Sequence, residues 1–146
     1  STMMIDNTDI DLASGIAAFE SKEFRQAFGL LSPLAEEGNV EAQHRIAIMA
    51  QNGLGMAPNE SLAFRYMKNA AENNHSLAQH GLAFMYMEGE CAEKNMSEAI
   101  VWFTKAAEQG LAGSQTTLAS IYEQGMGVDK NPELAKQWYK KAGFDM

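Results

Sequence analysis

The chain has 146 residues, 46% hydrophobic and 21% charged, with a net charge of −8 at pH 7. Those values describe one ordinary globular domain able to bury its own core, and no apolar run approaches the ~18–20 residues of a membrane span. The longest basic cluster is Lys140-Lys141, which excludes a phosphate-gripping nucleic-acid surface and leaves the acidic balance to serve solubility or a basic partner.

Residues 1–8 read as an N-terminal tail. Ser1-Thr2 ahead of Met3-Met4 looks like a tag remnant, with a native start at one of the methionines. The stretch lacks the basic and apolar segments of a signal peptide. Together with a single cysteine, Cys91, it points to the cytoplasm. The periplasm is the alternative if a signal peptide was cut away.

From residue 9 onward the chain repeats itself as one domain, 9–146. The units are 9–39, 40–75, 76–111 and 112–146. In the first, Gly15, Ala18, Phe24 and Ala27 follow the spacing of a tetratricopeptide-like hairpin with a short inner loop. The later three align without a slip. Ala42-Gln43-His44 returns as Ala78-Gln79-His80 and loosely as Ser114-Gln115-Thr116, and Ile46-Ala47 as Leu82-Ala83 and Leu118-Ala119. Tyr66-Met67 returns as Trp102-Phe103 and Trp138-Tyr139, and Ala70-Ala71 as Ala106-Ala107 and Ala142-Gly143.

Apolar and small residues recur with a period near 3.6, so each unit is a pair of helices and not of strands. Gly53, Gly89 and Gly125 are placed to cap the first helix of their units. Asn59, Asn95 and Asn131 are placed to cap the second helix, with Pro132 in its first turn. Trp102 and Trp138, in register, are expected in the core. Lys136, Gln137, Lys140 and Lys141 give the last helix a polar outer face, the mark of a terminal repeat.

Ala99 to Gly110 (AIVWFTKAAEQG) and Leu118 to Gly127 (LASIYEQGMG) carry a family resemblance. The pattern resembles the Sel-one-like repeat, a relative of the tetratricopeptide repeat with a longer inner loop, over residues 9–146. Ala50, Cys91 and Asn73-Asn74 depart from it locally. The resemblance implies an all-α, right-handed α-solenoid of four antiparallel helix-turn-helix repeats. It also implies an adaptor or scaffold that holds a peptide or helix of another protein in a concave groove, with no common active site.

In arrays of that kind the first helices line the groove, and residues one turn round from the core stripe face it. These are Leu12, Ile16 and Phe19, then His44, Ile48 and Gln51, then Leu77, His80, Phe84 and Met87, and finally Thr116, Ser120 and Glu123. The flanking positions are Asp9, Glu41 and Gly113. Leu12, Ile16, Phe19, Ile48, Phe84 and Met87 form an apolar strip suited to docking a helix or peptide.

The expected partner is thus a protein, with no nucleic acid, no membrane, no metal and no cofactor, and the chain is a monomer or weak homodimer. Enzymatic activity is not expected. Cys91 takes the place of Gly55 and Gly127 in the sister loops, where a small side chain suffices. The glycine pairs follow helices and not strands, so they are not phosphate cradles. The alternatives are a self-associating structural protein or a β-lactam-binding hydrolase. The latter is implied only by cysteine-rich relatives, which carry a disulfide in each repeat.

Overall fold

The computed structural model describes residues 7–145. Residues 1–6 of the expected tail lie outside the described residues, and Thr8 already opens the first helix. Among the described residues there are eight helices and no strands. They are α1 (Thr8–Glu20), α2 (Phe24–Glu36), α3 (Val40–Asn52), α4 (Glu60–Glu72), α5 (Ser76–Glu88), α6 (Met96–Glu108), α7 (Ala112–Gln124) and α8 (Pro132–Lys141). The chain divides after Ala70 into two compact units.

The helix boundaries follow from the punctuation of the sequence. Asn95 Oδ1 accepts from the Glu98 amide at 3.1 Å, and Asn131 Oδ1 accepts from the Leu134 amide at 3.1 Å. Asn59 Oδ1 does the same for Leu62 at 3.1 Å. Each bond satisfies an amide that the first helical turn leaves without a backbone partner. Pro132 sits in the first turn of α8, where no amide hydrogen is needed. At the other end, Gly53, Gly89 and Gly125 close α3, α5 and α7 in the left-handed conformation, at φ +66°, +69° and +69°.

In the first unit α1 pairs with α2, and α2 packs on α3. Gly15 makes the first contact close: a Cβ there would lie 2.5 Å from Leu31 Cδ2. Leu31, Ala27 and Ala35 of α2 and Ile46, Ala47, Met49 and Ala50 of α3 are fully buried.

In the second unit α5 pairs with α6, α6 packs on α7, and α7 pairs with α8. Its core gathers Ala83, Ala99, Phe103, Ala107, Leu118, Ala119, Ile121 and Trp138. Alanines at the crossings let the helix axes approach closely.

The core corrects one expectation. Trp138 is buried, but Trp102 is only half-buried and packs against the edge of the cluster. Its Nε1–H donates to Glu98 Oε2 at 3.2 Å, and Lys105 Nζ lies 5.6 Å from the ring centroid. The fully buried aromatic of α6 is its neighbour, Phe103. An α-helix turns about 100° per residue, so packing decides which of two adjacent large side chains points fully inward: on α4 the equivalent Tyr66 and Met67 are both buried, whereas on α6 Phe103 takes the core and Trp102 its edge.

Candidate partner-binding surface

The first helix of each hairpin divides its circumference sharply. On α5, Leu82, Ala83 and Met85 are buried, while His80, Phe84 and Met87 are half-buried and Leu77 is 49% exposed. On α7, Leu118, Ala119 and Ile121 are buried, while Thr116 and Ser120 are half-buried and Glu123 is exposed. The first unit behaves alike: Leu12, Ile16 and Phe19 on α1 and His44, Ile48 and Gln51 on α3 are all half-buried. None of these thirteen side chains lies in the fully buried core.

In the second unit several of them come together. Met87, Thr116, Thr117, Ser120, Ile121 and Met126 line a hollow of about 280 Å³ between α5 and α7. Beside it stands an aromatic cluster. His80 meets Phe84 edge-on at 4.9 Å between centroids and Phe103 at 5.5 Å, and Phe84 meets Phe103 at 5.1 Å. Such T-shaped pairs place a positive ring edge on a negative face.

His80 is less free than a groove contact would need to be. Its Nδ1 lies 2.6 Å from Ser114 Oγ, and burial holds its pKa below the ordinary imidazole value. A neutral ring at neutral pH is what a site between two phenyl groups and a hydroxyl favours. His80 therefore ties α5 to α7 and forms the floor of this surface, with Leu77 and Met87 nearer its rim.

The hydroxyls of Thr116 and Thr117 donate back to the Gly113 carbonyl at 3.1 and 2.8 Å, and Ser120 Oγ accepts from Gln124 Nε2 at 3.0 Å. In the first unit Phe19 packs edge-on against Phe24 at 5.6 Å, and the Arg45 guanidinium lies 6.0 Å from its centroid. Arg45 is itself held by Glu41, through a 2.7 Å ion pair and a 3.1 Å bond to its carbonyl.

A polar clasp recurs beneath these surfaces and was not recognised from the sequence. Gln43, Gln79 and Gln115 are buried, and each donates its Nε2–H to the carbonyl eight residues earlier. The acceptors are Ala35 at 3.0 Å, Ala71 at 3.1 Å and Ala107 at 3.1 Å. The oxygens of two of these amides accept in turn, Gln43 from Asn69 Nδ2 at 2.7 Å and Gln79 from Gln109 Nε2 at 2.9 Å. The signal was present: an amide recurring in register inside an apolar stripe, where a buried polar group must find partners.

Among the described residues no three His, Cys, Asp or Glu side chains cluster as a metal would need, and no helix is long and apolar enough to cross a membrane. Cys91 occupies the left-handed region at φ +63°, beside Gly55 at +67° and Gly127 at +70° in the sister loops.

Helical hairpins with buried alanine crossings and a half-buried first-helix face define a helical-repeat protein. The Sel1 repeat family model matches residues 40–75, 76–111 and 112–143, and the chain belongs to that family. The α1–α2 hairpin precedes the matched segments. No curated protein matches the chain.

Among solved structures, a Sel1 repeat protein from Oxalobacter formigenes is similar at 33% identity and a TM-score of 0.85, over 90% of this chain and 53% of that one. The protective antigen c5321 of uropathogenic Escherichia coli, which displays an SLR fold, is similar at 31% identity and a TM-score of 0.81, over 90% of this chain and 29% of that one. The chain thus spans about half the length of the first relative and under a third of the second. Proteins with this repeat are generally helical scaffolds for protein interaction and typically not enzymes.

Proposed function

We propose that this chain is a non-enzymatic interaction scaffold that receives a peptide or helix of a partner protein on its first-helix faces. In the second unit that surface is Leu77, His80, Phe84 and Met87 of α5 with Thr116, Ser120 and Glu123 of α7. In the first it is Leu12, Ile16 and Phe19 of α1 with His44, Ile48 and Gln51 of α3. The α1–α2 hairpin then counts as a first repeat with a short inner loop.

The hollow of about 280 Å³ flanked by Met87, Thr116 and Ser120 carries the reading. Its lining mixes apolar Met87, Ile121 and Met126 with the hydroxyls of Thr116, Thr117 and Ser120, as sites that fix a docked side chain tend to do. Leu77, exposed on the same helix, and the adaptable methionines add surface that gains from being covered.

The test is affinity capture from the organism of origin with the wild-type chain and a Leu77→Glu/Ser120→Glu variant. Both positions lie outside the core, so the melting temperature is expected to stay within about 2–4 °C, less than ~1 kcal/mol of stability for a domain of this size. Capture of the partner is expected to be lost. Undiminished capture by the folded variant would refute this surface.

A further inference from the structure

A second surface follows from the register of the repeat. Within the second unit, α7 seats on α5 and α6. Leu118 and Ile121 of α7 share one buried cluster with Ala99 and Phe103 of α6, and Met87, Met96 and Ile100 pack against it. The loop after α7 closes on the same place: a Cβ at Gly127 would lie 2.6 Å from Met96 Cβ.

Adding one repeat length to Met87, Met96, Ala99, Ile100 and Phe103 gives Glu123, Pro132, Ala135, Lys136 and Tyr139. Those five residues line an open hollow of about 440 Å³ on α7 and α8. The face that receives α7 one repeat earlier is therefore built again here, with no described helix of this unit on it. Phe144, 53% exposed, stands edge-on to Tyr139 at 5.6 Å and extends the apolar surface.

The chemistry of the rim has changed between the two copies. At the hollow itself Lys136 replaces Ile100, and one turn further along α8, outside the lining, Lys140 replaces Thr104. Helix α8 carries Lys136, Lys140 and Lys141 against Glu133 alone, in a chain of net charge −8. Glu123 lies on the α7 side of the hollow. Lysine stems keep covering apolar surface while their ammonium groups stay in water, so the seat remains usable while its charge preference is reset.

We propose that the α7–α8 face docks an amphipathic helix of a partner protein, carrying Leu and Ile at i and i+3 as α7 does and acidic side chains along the flank that meets Lys136 and Lys140. This surface shares only Glu123 with the first-helix groove; its other lining residues, Pro132, Ala135, Lys136 and Tyr139, belong to α8, and it stands if the groove fails. Opposite charge steers the approach and sets the register. The Leu/Ile pair fills the hollow that Leu118 and Ile121 fill one repeat earlier.

The test uses two synthetic helical peptides of about 18 residues, long enough to hold a helix. They share the Leu-x-x-Ile pair and differ only in carrying glutamate or lysine at the flanking positions. Fluorescence anisotropy with the full chain is expected to show the glutamate peptide binding about ten-fold more tightly or better, with the preference shrinking as salt rises. Lys136→Glu/Lys140→Glu, at two exposed positions, is expected to reverse the preference, and Tyr139→Ser to weaken both peptides, each variant checked for native helicity by circular dichroism. Equal binding, no binding, or binding untouched by the charge reversal overturns the proposal. Concentration-dependent self-association in sedimentation, lost in the charge-reversed variant, also overturns it by assigning the face to a second copy.

Discussion

At the scale of single residues, the strongest constraint is the glutamine clasp. Replacing Gln79 by alanine removes two hydrogen bonds at once, leaving the Ala71 carbonyl with the Asn74 amide alone and the Gln109 side-chain amide with the Asn74 carbonyl alone. A hydrogen bond contributes about 0.5–1.5 kcal/mol net, so the loss of two removes about 1–3 kcal/mol. Gln79→Ala is therefore expected to lower the unfolding free energy by that amount in a denaturant titration, and a loss under a few tenths would show that the clasp is ornamental.

His80 gives a pH signature. Its folded pKa is lowered by burial from 6.5. Between that lowered value and 6.5 the unfolded chain binds more protons than the folded one, so stability falls as the pH falls through this window and is fully present above it. Melting temperatures between pH 7.5 and 5.5 should drop more steeply for the wild type than for His80→Gln; equal slopes would contradict the role given to the ring. Cys91 sits where its sister loops have glycine, at φ +63°. Left-handed backbone costs a non-glycine residue about 1–2 kcal/mol, partly offset by glycine's larger entropy when unfolded. Cys91→Gly is expected to be neutral or stabilising by up to about 1 kcal/mol in the same titration.

At the scale of elements, Phe103 and Trp102 separate core from margin. Phe103 has no exposed surface, and Phe103→Ala is expected to cost about 3–5 kcal/mol, as large-to-small core changes do. Trp102→Ala, at the edge and stabilised by Glu98 and Lys105, is expected to cost less than half of that. The reverse order in chemical denaturation would mean that α6 is turned the other way.

Such elements show what the sequence made legible. Caps were readable because they depend on one residue and its neighbours: Asn95, Asn131, Pro132 and the glycines at 53, 89 and 125 act where they stand. The rotation of α6 was not, since Trp102 and Phe103 both suit a core and only packing chooses between them. The groove residues were legible as a stripe. That His80 is held by Ser114 and by the rings of Phe84 and Phe103 was not, because Ser114 and Phe103 come from α7 and α6 and repeat register alone does not report distance.

At the scale of the molecule, each of the two units is built of hairpins too small to hide their apolar sides alone, which bury them against a neighbour within the same unit. That leaves one face of the first helices half-covered while the opposite side is sealed. His80 is given over to packing between α5 and α7, and the hollow between these helices is lined by methionine, threonine, serine and isoleucine. What remains exposed on α5 and α7 is the surface proposed above to receive another protein's side chains.

The most direct measurement is site-specific photo-crosslinking in the cells of origin, with benzoylphenylalanine at Leu77 or Ser120 on the first-helix face and at Lys105 or Gln137 on the second helices. The account predicts that one partner is captured from Leu77 and Ser120 and not from Lys105 or Gln137. Capture of the same partner from the second-helix positions alone would contradict it.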